Sequence, residues 1–512
     1  MSLYSGQLSE DYEDRPLLSS RHTLTQQRFG DGINDDTELL EESLELDLDA
    51  KFGDKDARNE LERALLRKLD ARMSILVLIY ILNYIDRNNA AAARLRGFEE
   101  DLRLEGNQFA SILSILYVGY ILMQIPSNML LNYFGRPSIY LPSCMVIWGG
   151  ISVLTGFTTN FFGALCTRFF LGFVEAAFFP GALFLISKWY KRNELSQRTA
   201  YLYCGNLISN AFGTLIASGI LDRMDGILGF AAWRWLFFIE GSSTILVAIL
   251  AIFILPDFPE NTTGWLTEAE RALALHRMVE DAGADEELTA HAGTLDTLES
   301  SKHLDLNRRG LRMALEDWKV WWLTLAMGSM TISLSFNAFF PTLSATMGYS
   351  GMTTLLLCSP PWIFATGVAL IVSRHSDSTS ERYWHITLSL LIGIMGFLLA
   401  MSTMNITIRY LSLFLMAQSY AGYVCFLAWA SGTISRPSSK RAVALAVINS
   451  GATVGNIIGS YVWPSSWGPT YSRSYVICTL TGLMAVGMCY VFRRRLVLLN
   501  TASGRGGYKY SL

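Results

Sequence analysis

The sequence carries little charge for its length, which excludes an ordinary soluble protein. Only 17% of the 512 residues are charged and 51% are hydrophobic, a composition typical of membrane proteins. The seven cysteines include no C-x-x-C pair, which argues against a disulfide scaffold or a zinc site. The motifs H-E-x-x-H and G-x-S-x-G and a phosphate-binding loop are also missing. We therefore expect no enzyme, no metal and no cofactor.

What the sequence does contain is a series of apolar helical segments, each long enough for the roughly 20 residues that a bilayer span requires. The twelve predicted spans cover residues 72–95, 109–132, 138–157, 161–188, 199–222, 233–255, 319–345, 351–373, 383–404, 409–432, 442–463 and 474–492. Six precede a polar stretch and six follow it, a layout that indicates two bundles related by duplication. The expected fold class is an all-α membrane protein with twelve transmembrane helices in two six-helix bundles.

The polar segments complete the predicted division of the chain. It comprises a disordered acidic cytoplasmic tail (1–71), a first bundle (72–255), a central cytoplasmic loop with short helices (256–318), a second bundle (319–495) and a cytoplasmic C-terminal tail (496–512). The acidic character of the tail follows from the 18 Asp/Glu and 9 Lys/Arg among residues 1–70. In the central loop, Thr267 and Glu270 have the spacing of a capping box, which predicts a helix start there.

The positions of Lys and Arg next to the spans place both termini in the cytoplasm, because basic residues favour that side of the membrane. The loops that this orientation makes cytoplasmic carry Arg136, Lys191, Arg192, Arg198, Arg374, Arg382, Arg436, Lys440 and Arg441, and Arg493, Arg494 and Arg495 follow the last span. We expect a plasma-membrane monomer in contact with lipid and not with nucleic acid. Acidic dileucine patterns at residues 13–18 and 35–40 leave the vacuolar membrane as an alternative.

Acidic residues deep inside the spans are confined to the first bundle. They are Asp86, Glu175 and Glu240, accompanied by Arg87, Arg168 and Arg234. Charges at such depth usually face a cavity or each other and are usually functional. Arg168, Gly172 and Glu175 share one helix face, where the glycine leaves a groove open either to the arginine side chain or to a ligand.

Two interpretations of these charges stay open. In the first, Asp86 and Glu175 pass a proton inward, since an apolar site favours a neutral carboxyl and a nearby arginine favours a charged one. In the second, the four residues form a fixed salt-bridge network between helices. Glu240 and Arg234 are interpreted as structural, because Arg234 lies between two tryptophans that resemble an interfacial anchor.

Polar side chains also recur at helical spacing in other spans. The stripes are Asn449, Thr453, Asn456 and Ser460; Asn206, Asn210 and Gly213; Tyr117, Tyr120 and Gln124; and Ser333 with Asn337. Such stripes line ligands about as often as they form seams between helices, so only their convergence on one place indicates a binding site.

Three segments carry a resemblance to a known family. They are Tyr84-Ile85-Asp86-Arg87-Asn88-Asn89 in span 1, Tyr117-Val118-Gly119-Tyr120 with Ile125-Pro126-Ser127-Asn128 in span 2, and Arg168-Phe169-Phe170-Leu171-Gly172-Phe173-Val174-Glu175 in span 4. They resemble the major facilitator superfamily, and within it the anion:cation symporter branch with its fungal allantoate and nicotinate permease-like transporters.

The resemblance implies proton-driven import of a small organic carboxylate by alternating access. It implies that Asp86 and Glu175 carry protons and that Arg87 and Arg168 contact the substrate. The stripes add Tyr120, Gln124, Asn206, Asn337, Asn449 and Asn456 as candidate substrate ligands.

The sequence departs from the superfamily pattern in two loops. The G-x-x-x-D-R-x-G-R-R signature lacks its Asp before Arg136, and Ser378 replaces the usual Arg after Asp377. Arg136 and Asp377 are left as candidate gating residues that make charge contacts between the bundles. A drug:proton antiporter and a nutrient sensor that binds without net transport are the alternative functions, although span 5 lacks the G-P-x-x-G-G signature of the antiporters.

Overall fold

The computed structural model of the protein describes residues 55–262, 264–290, 311–379, 381–434 and 438–502. The described residues divide into two units, one that ends at Leu66 and one that begins at Arg67, and the described part of the first is helical. The dileucine patterns and Arg436 lie outside the described residues.

Besides the helix Glu268–Ala290 of the central stretch, twelve long helices succeed one another along the described ranges. They are α1 (Lys55–Ala93), α2 (Gln108–Phe134), α3 (Pro137–Thr155), α4 (Phe161–Trp189), α5 (Arg192–Arg223), α6 (Ala232–Ile254), α7 (Trp318–Ala345), α8 (Gly351–Thr379), α9 (Tyr383–Ser402), α10 (Ile406–Thr433), α11 (Ser438–Ser460) and α12 (Ser472–Ala502). In the part of the chain that the structure describes, ten helices are long and apolar enough to cross a membrane, and α2 contributes the shorter apolar stretch Gln108–Gln124. No strand occurs in the described residues. The predicted all-α fold is confirmed.

Local sequence explains several helix ends and breaks. Gly135 ends α2 in the left-handed conformation with φ 63°, and Pro137 opens α3, the arrangement that these two residue types favour. The side chain of Asn160 caps α4 by accepting a hydrogen bond from the amide of Gly163. Near its middle, α4 is interrupted between Glu175 and Phe178, because Pro180 lacks the amide hydrogen that a helix would use at this turn.

Helix α1 begins at Lys55 and not at Arg72, where the sequence analysis places the start of the first span. Leu61, Leu65 and Leu69 recur every four residues, which supports an amphipathic helix ahead of the apolar run. The last helix likewise continues to Ala502, beyond the predicted end of span 12.

The helix Glu268–Ala290 of the central stretch starts at the predicted capping box. The amide of Thr267 donates to Glu270 Oε2 at 2.9 Å, and the amide of Glu270 donates to Thr267 Oγ1 at 3.2 Å. Lys68 Nζ donates to Glu270 Oε1 at 2.7 Å. Burial raises the pKa of Glu270, but the hydrogen bonds from Lys68 and Thr267 outweigh it and hold that pKa below its ordinary value.

The helices of each half pair in the same way. Helix α3 packs along α6, and α9 packs along α12, six helices later in each case, as duplication predicts. The first bundle (α1–α6) meets the second (α7–α12) where α5 packs along α8 and α2 along α11. Both contacts include the end of the helices that carries residues 94–107 and 461–471, which we call the far end. There, the Tyr461 hydroxyl lies 3.2 Å from Ser111 Oγ and 3.1 Å from Ser114 Oγ.

The groove that the sequence analysis expects at Gly172 is filled by another helix. A Cβ atom at Gly172 would lie 1.9 Å from the backbone oxygen of Leu116, and one at Gly119 would lie 2.3 Å from that of Phe169. Helices α2 and α4 therefore touch through their backbones at these glycines. Neither Arg168 nor a ligand occupies the space, and the expectation of a groove open to them is wrong.

This contact predicts a large effect of one methyl group. Gly172→Ala is expected to destabilise the protein by about 1–3 kcal/mol, because the backbones of α2 and α4 must separate. The measurement is the thermal unfolding midpoint in detergent. Gly150→Ala in α3 is the matched control, since its Cβ would meet no atom within 4 Å. Equal midpoints of the two variants would contradict the close contact.

Candidate functional site

A central cavity opens between the two bundles, lined by α1, α2, α4 and α5 of the first and by α10 and α11 of the second. Its empty volume is about 580 Å³. The lining residues are Tyr80, Asn83, Tyr84, Arg87, Tyr117, Tyr120, Glu175, Phe179, Tyr203, Asn206, Tyr423, Asn449, Ala452, Thr453 and Asn456. The charged members of this lining are Arg87 and Glu175, and the remainder are mainly tyrosines and side-chain amides.

Arg87 and Glu175 form an ion pair at the wall of this cavity. The Nε and Nη2 atoms of Arg87 donate to Glu175 Oε2 at 3.1 and 2.9 Å. The arginine side chain is 11% exposed and the glutamate side chain is 0% exposed. The rings of Tyr84 and Tyr120 lie 5.0 and 5.2 Å from the guanidinium carbon, close enough for cation–π attraction. The guanidinium therefore faces the cavity beside the rings of Tyr84 and Tyr120 and is paired there with the Glu175 carboxylate.

Asp86, although next to Arg87 in sequence, faces the interior of the first bundle. It is 0% exposed, and it accepts hydrogen bonds from Ser152 Oγ of α3 at 3.0 Å and from Thr244 Oγ1 of α6 at 2.8 Å. Neighbouring residues on a helix point about 100° apart, which explains why Arg87 meets the cavity and Asp86 does not.

Arg168 lies behind the cavity wall. It is 1% exposed, and its Nη1 atom donates to the backbone oxygens of Asp86 and Arg87, both at 3.2 Å. It thereby ties α4 to the turn of α1 that presents Arg87. The arginine that reaches Glu175 is Arg87 of α1, whereas the shared face on α4 had suggested Arg168. Arg168 is not part of the cavity lining, and its role as a substrate contact stays a prediction.

The predicted polar stripes converge to a large degree. Tyr120 of α2, Asn206 of α5, and Asn449 and Asn456 of α11 all line the central cavity. The glycines on the other face of α11 explain this orientation. Cβ atoms at Gly451, Gly455 and Gly459 would lie 2.0–2.7 Å from atoms of α7, so this face packs closely against α7. The asparagine stripe therefore faces the cavity. Gln124 is buried but lies outside the lining.

The proposed gating residues are not paired with each other in the structure. Arg136 is exposed, and Asp377 forms its ion pair with Arg382 at 2.6 Å. The expected contact between Arg136 and Asp377 is replaced by this pair within the second bundle, and the gating role of both residues stays a prediction.

The cavity residues that sequence reasoning missed include four polar ones, Tyr80, Asn83, Tyr203 and Tyr423. Tyrosines inside apolar runs look like core residues, and three of the four are tyrosines. The available signal was the helical spacing of Tyr80, Tyr84 and Arg87 on α1, which places them on one face.

A second cavity, with an empty volume of about 410 Å³, lies between α1, α5, α7 and α8. Its polar lining consists of Asn88, Asn89, Ser209, Asn210, Thr214 and Asn337. Asn337, predicted as a substrate ligand, is thus placed in the second cavity. Asn88 Nδ2 donates to Asn210 Oδ1 at 2.9 Å, which joins α1 to α5 at this wall.

Comparison with known proteins adds independent findings. The family model described as "Major Facilitator Superfamily" matches residues 76–460. The chain is 32% identical over 504 residues to the "MFS-type transporter cnsO" of Penicillium expansum, covering 95% of this chain and 93% of that protein. It is 30% identical over 460 residues to a "Putative tartrate transporter" of Agrobacterium vitis, covering 88% of this chain and 98% of that protein. A solved bacterial homolog of the human lysosomal transporter Spinster matches with a TM-score of 0.62 and 16% identity, covering 83% and 97% of the two chains.

Proposed function

The chain belongs to the Major Facilitator Superfamily of transporters, and from this premise we propose that it is a secondary active transporter that imports a small organic carboxylate together with protons. Allantoate, nicotinate, pantothenate and tartrate are substrates of suitable charge. The "Putative tartrate transporter" relative supports a carboxylate as the transported group.

The observation that carries the proposal is the Arg87–Glu175 pair in the wall of the central cavity. A substrate carboxylate and the Glu175 carboxylate are chemically alike, so both compete for the same guanidinium. When the substrate takes Arg87, Glu175 loses its cationic partner in an apolar site, and that change favours the protonated form of the carboxyl. Anion binding and proton binding thus become linked at one pair of residues.

This linkage lets protons balance the charge of the anion during the transport cycle. An anion that enters a cell against an inside-negative potential is opposed by about 2.3 kcal/mol per 100 mV. One proton per monovalent anion removes this opposition, and a second proton makes entry driven by the potential. Glu175 supplies the first proton site in this proposal, and Asp86, tied to the backbone of Arg87 through Arg168, is the candidate for the second.

The contacts at the far end fit alternating access. Hydrogen bonds between Tyr461 and Ser111 or Ser114, and between Ser218 Oγ and the Met352 oxygen at 3.4 Å, join the bundles there. In the proposed cycle these contacts break when the cavity opens to the far side. We place the far end outside the cell, with both termini cytoplasmic and the protein in the plasma membrane.

The test is uptake of a panel of labelled carboxylates by transport-deficient cells that express this chain, at pH 5 and pH 7.5, with and without a protonophore. We expect accumulation of one anion that is stronger at pH 5 and is abolished by the protonophore. No accumulation of any anion, in cells that display the protein at the surface, would overturn the proposal and favour the sensor or the antiporter.

A further inference from the structure

Glu240 on α6 is a buried carboxyl without a charged partner among the described residues. The residue is 4% exposed, and neither of its side-chain oxygens accepts a hydrogen bond from a hydroxyl or a charged group within the described part of the chain. Leaving a charged carboxylate unpaired in such a place is very costly, whereas a neutral carboxyl is tolerated. The structural role that the sequence suggests for Glu240 does not account for this position, because a structural carboxylate would be paired.

Polar side chains lie between Glu240 and the second cavity on one side, and between Glu240 and Asp86 on the other. Asn89 of α1 lies beside its carboxyl and also lines the second cavity. The Asn89 amide acts on the Glu240 carboxyl as a donor and is not held in a hydrogen bond by any other described residue. On the other side, Thr244 follows Glu240 by four residues, about 6 Å along α6, and its hydroxyl donates to Asp86 Oδ2 at 2.8 Å.

The charges of this cluster favour one proton shared between two carboxyls. Asp86 and Glu240 are its acids, and Asp86 is the ionisable group that acts electrostatically on Glu240. Arg168 of α4 acts electrostatically on Asp86. Helix α3 contributes the uncharged Ser152 and Trp148. Asp86 receives two hydroxyl hydrogen bonds, which stabilise a charged carboxylate, and Glu240 receives none. The two acids therefore differ in how strongly they bind a proton, and such a difference separates a proton donor from a proton acceptor.

We propose that Glu240 is a further proton-binding site, loaded from the second cavity past Asn89 and able to exchange its proton with Asp86. A proton from water in the second cavity binds a Glu240 oxygen, and transfer of that proton to a charged Asp86 oxygen leaves Glu240 charged only until the next proton from the cavity neutralises it. The inference rests on the proposed function only in assigning this proton to the transport cycle, since the proton site itself is defined by Glu240, Asn89 and Asp86.

The first test needs no transport. Dicyclohexylcarbodiimide reacts with protonated carboxyls in apolar surroundings, and the wild-type chain in liposomes is labelled with it and mapped by mass spectrometry. We expect an adduct on Glu240 at pH 6 whose yield falls about tenfold for each pH unit above the titration midpoint. No adduct between pH 5 and pH 9, or a yield independent of pH over this range, would overturn the proposal.

The second test uses Glu240→Gln, which keeps the size of the side chain and removes the titratable group. In liposomes, proton entry and entry of the labelled carboxylate identified by the uptake panel are measured together. We expect the ratio of protons to anions to fall by about one, while exchange of internal for external anion continues. Glu100→Gln, an exposed far-end residue, is the control and should keep the wild-type ratio. An unchanged ratio in Glu240→Gln would overturn the proposal.

The two tests separate the two claims. If the chain transports no carboxylate, the labelling of Glu240 still decides whether it is a proton site. If Glu240→Gln also loses exchange, Glu240→Asp is measured in its place: it keeps a titratable group and should keep the wild-type ratio with a shifted pH profile. A Glu240→Asp protein whose pH profile matches the wild type would count against the proposal.

Discussion

We expect uptake of the proposed carboxylate substrate to fall about 100-fold when Arg87 is replaced by Gln. This magnitude follows from the loss of a charged, partly desolvated partner, which typically costs 2–5 kcal/mol or more. The described lining of the cavity offers no substitute, because Arg87 is its one cationic residue. The measurement is the initial rate of uptake at a substrate concentration below KM, normalised to protein at the cell surface.

Two further variants separate binding from folding. Removing Arg87 alone leaves Glu175 buried without a partner, which is itself destabilising, so the double variant Arg87→Gln with Glu175→Gln is compared. It should regain stability but not uptake. Arg234→Gln is the matched control: this arginine also lies over an aromatic ring, Trp233 at 4.4 Å, but it donates to the backbone oxygens of Gly156 and Thr158 away from the cavity. An Arg87→Gln protein that transports as well as Arg234→Gln would exclude Arg87 as the anion-binding group.

Glu175→Gln has the second large effect, on coupling. The variant keeps a side chain of the same size beside Arg87 but cannot bind and release a proton. Each pH unit across the membrane is worth about 1.4 kcal/mol, or a tenfold ratio, so one proton per anion sustains about 100-fold accumulation across two pH units. We expect Glu175→Gln to accumulate the anion about 100-fold less than the wild type across two pH units, because it lacks one coupled proton.

The control for Glu175 is exchange between internal labelled anion and external unlabelled anion, which requires no net proton movement. Exchange by Glu175→Gln should remain within a few-fold of the wild type, since Arg87 is still present. Accumulation by Glu175→Gln that responds to acid as strongly as the wild type would show that the coupling proton binds elsewhere.

Periodicity predicted those parts of the site that depend on one helix alone. The stripe Asn449, Thr453 and Asn456 was identified from its spacing, and all three residues line the central cavity. The same holds for the twelve-helix architecture, because apolar length is a property of each segment. The prediction of a groove at Gly172 was wrong because it needed the position of a second helix. The backbone of Leu116, more than 50 residues away in sequence, takes this space.

The pairing of the intramembrane charges also depends on the position of a second helix. The sequence identified Asp86, Arg87, Arg168 and Glu175 as a group, but which arginine meets which carboxylate depends on the rotation of α1 against α4. The tryptophans on either side of Arg234 made Arg234 and Glu240 look like structural residues. The absence of a charged partner for Glu240 among the described residues depends on what α1 and α3 present to α6, and that information is absent from the sequence of α6.

The proposed mechanism links the substrate anion to the proton through the competition for Arg87. The most direct measurement adds the transported carboxylate to purified protein in weakly buffered detergent solution and records proton uptake against bound anion. We predict uptake of protons in proportion to anion binding by the wild type, and anion binding with at least one proton fewer by Glu175→Gln. Anion binding to the wild type without proton uptake at any pH between 5 and 8, or equal proton uptake by Glu175→Gln, would contradict the account.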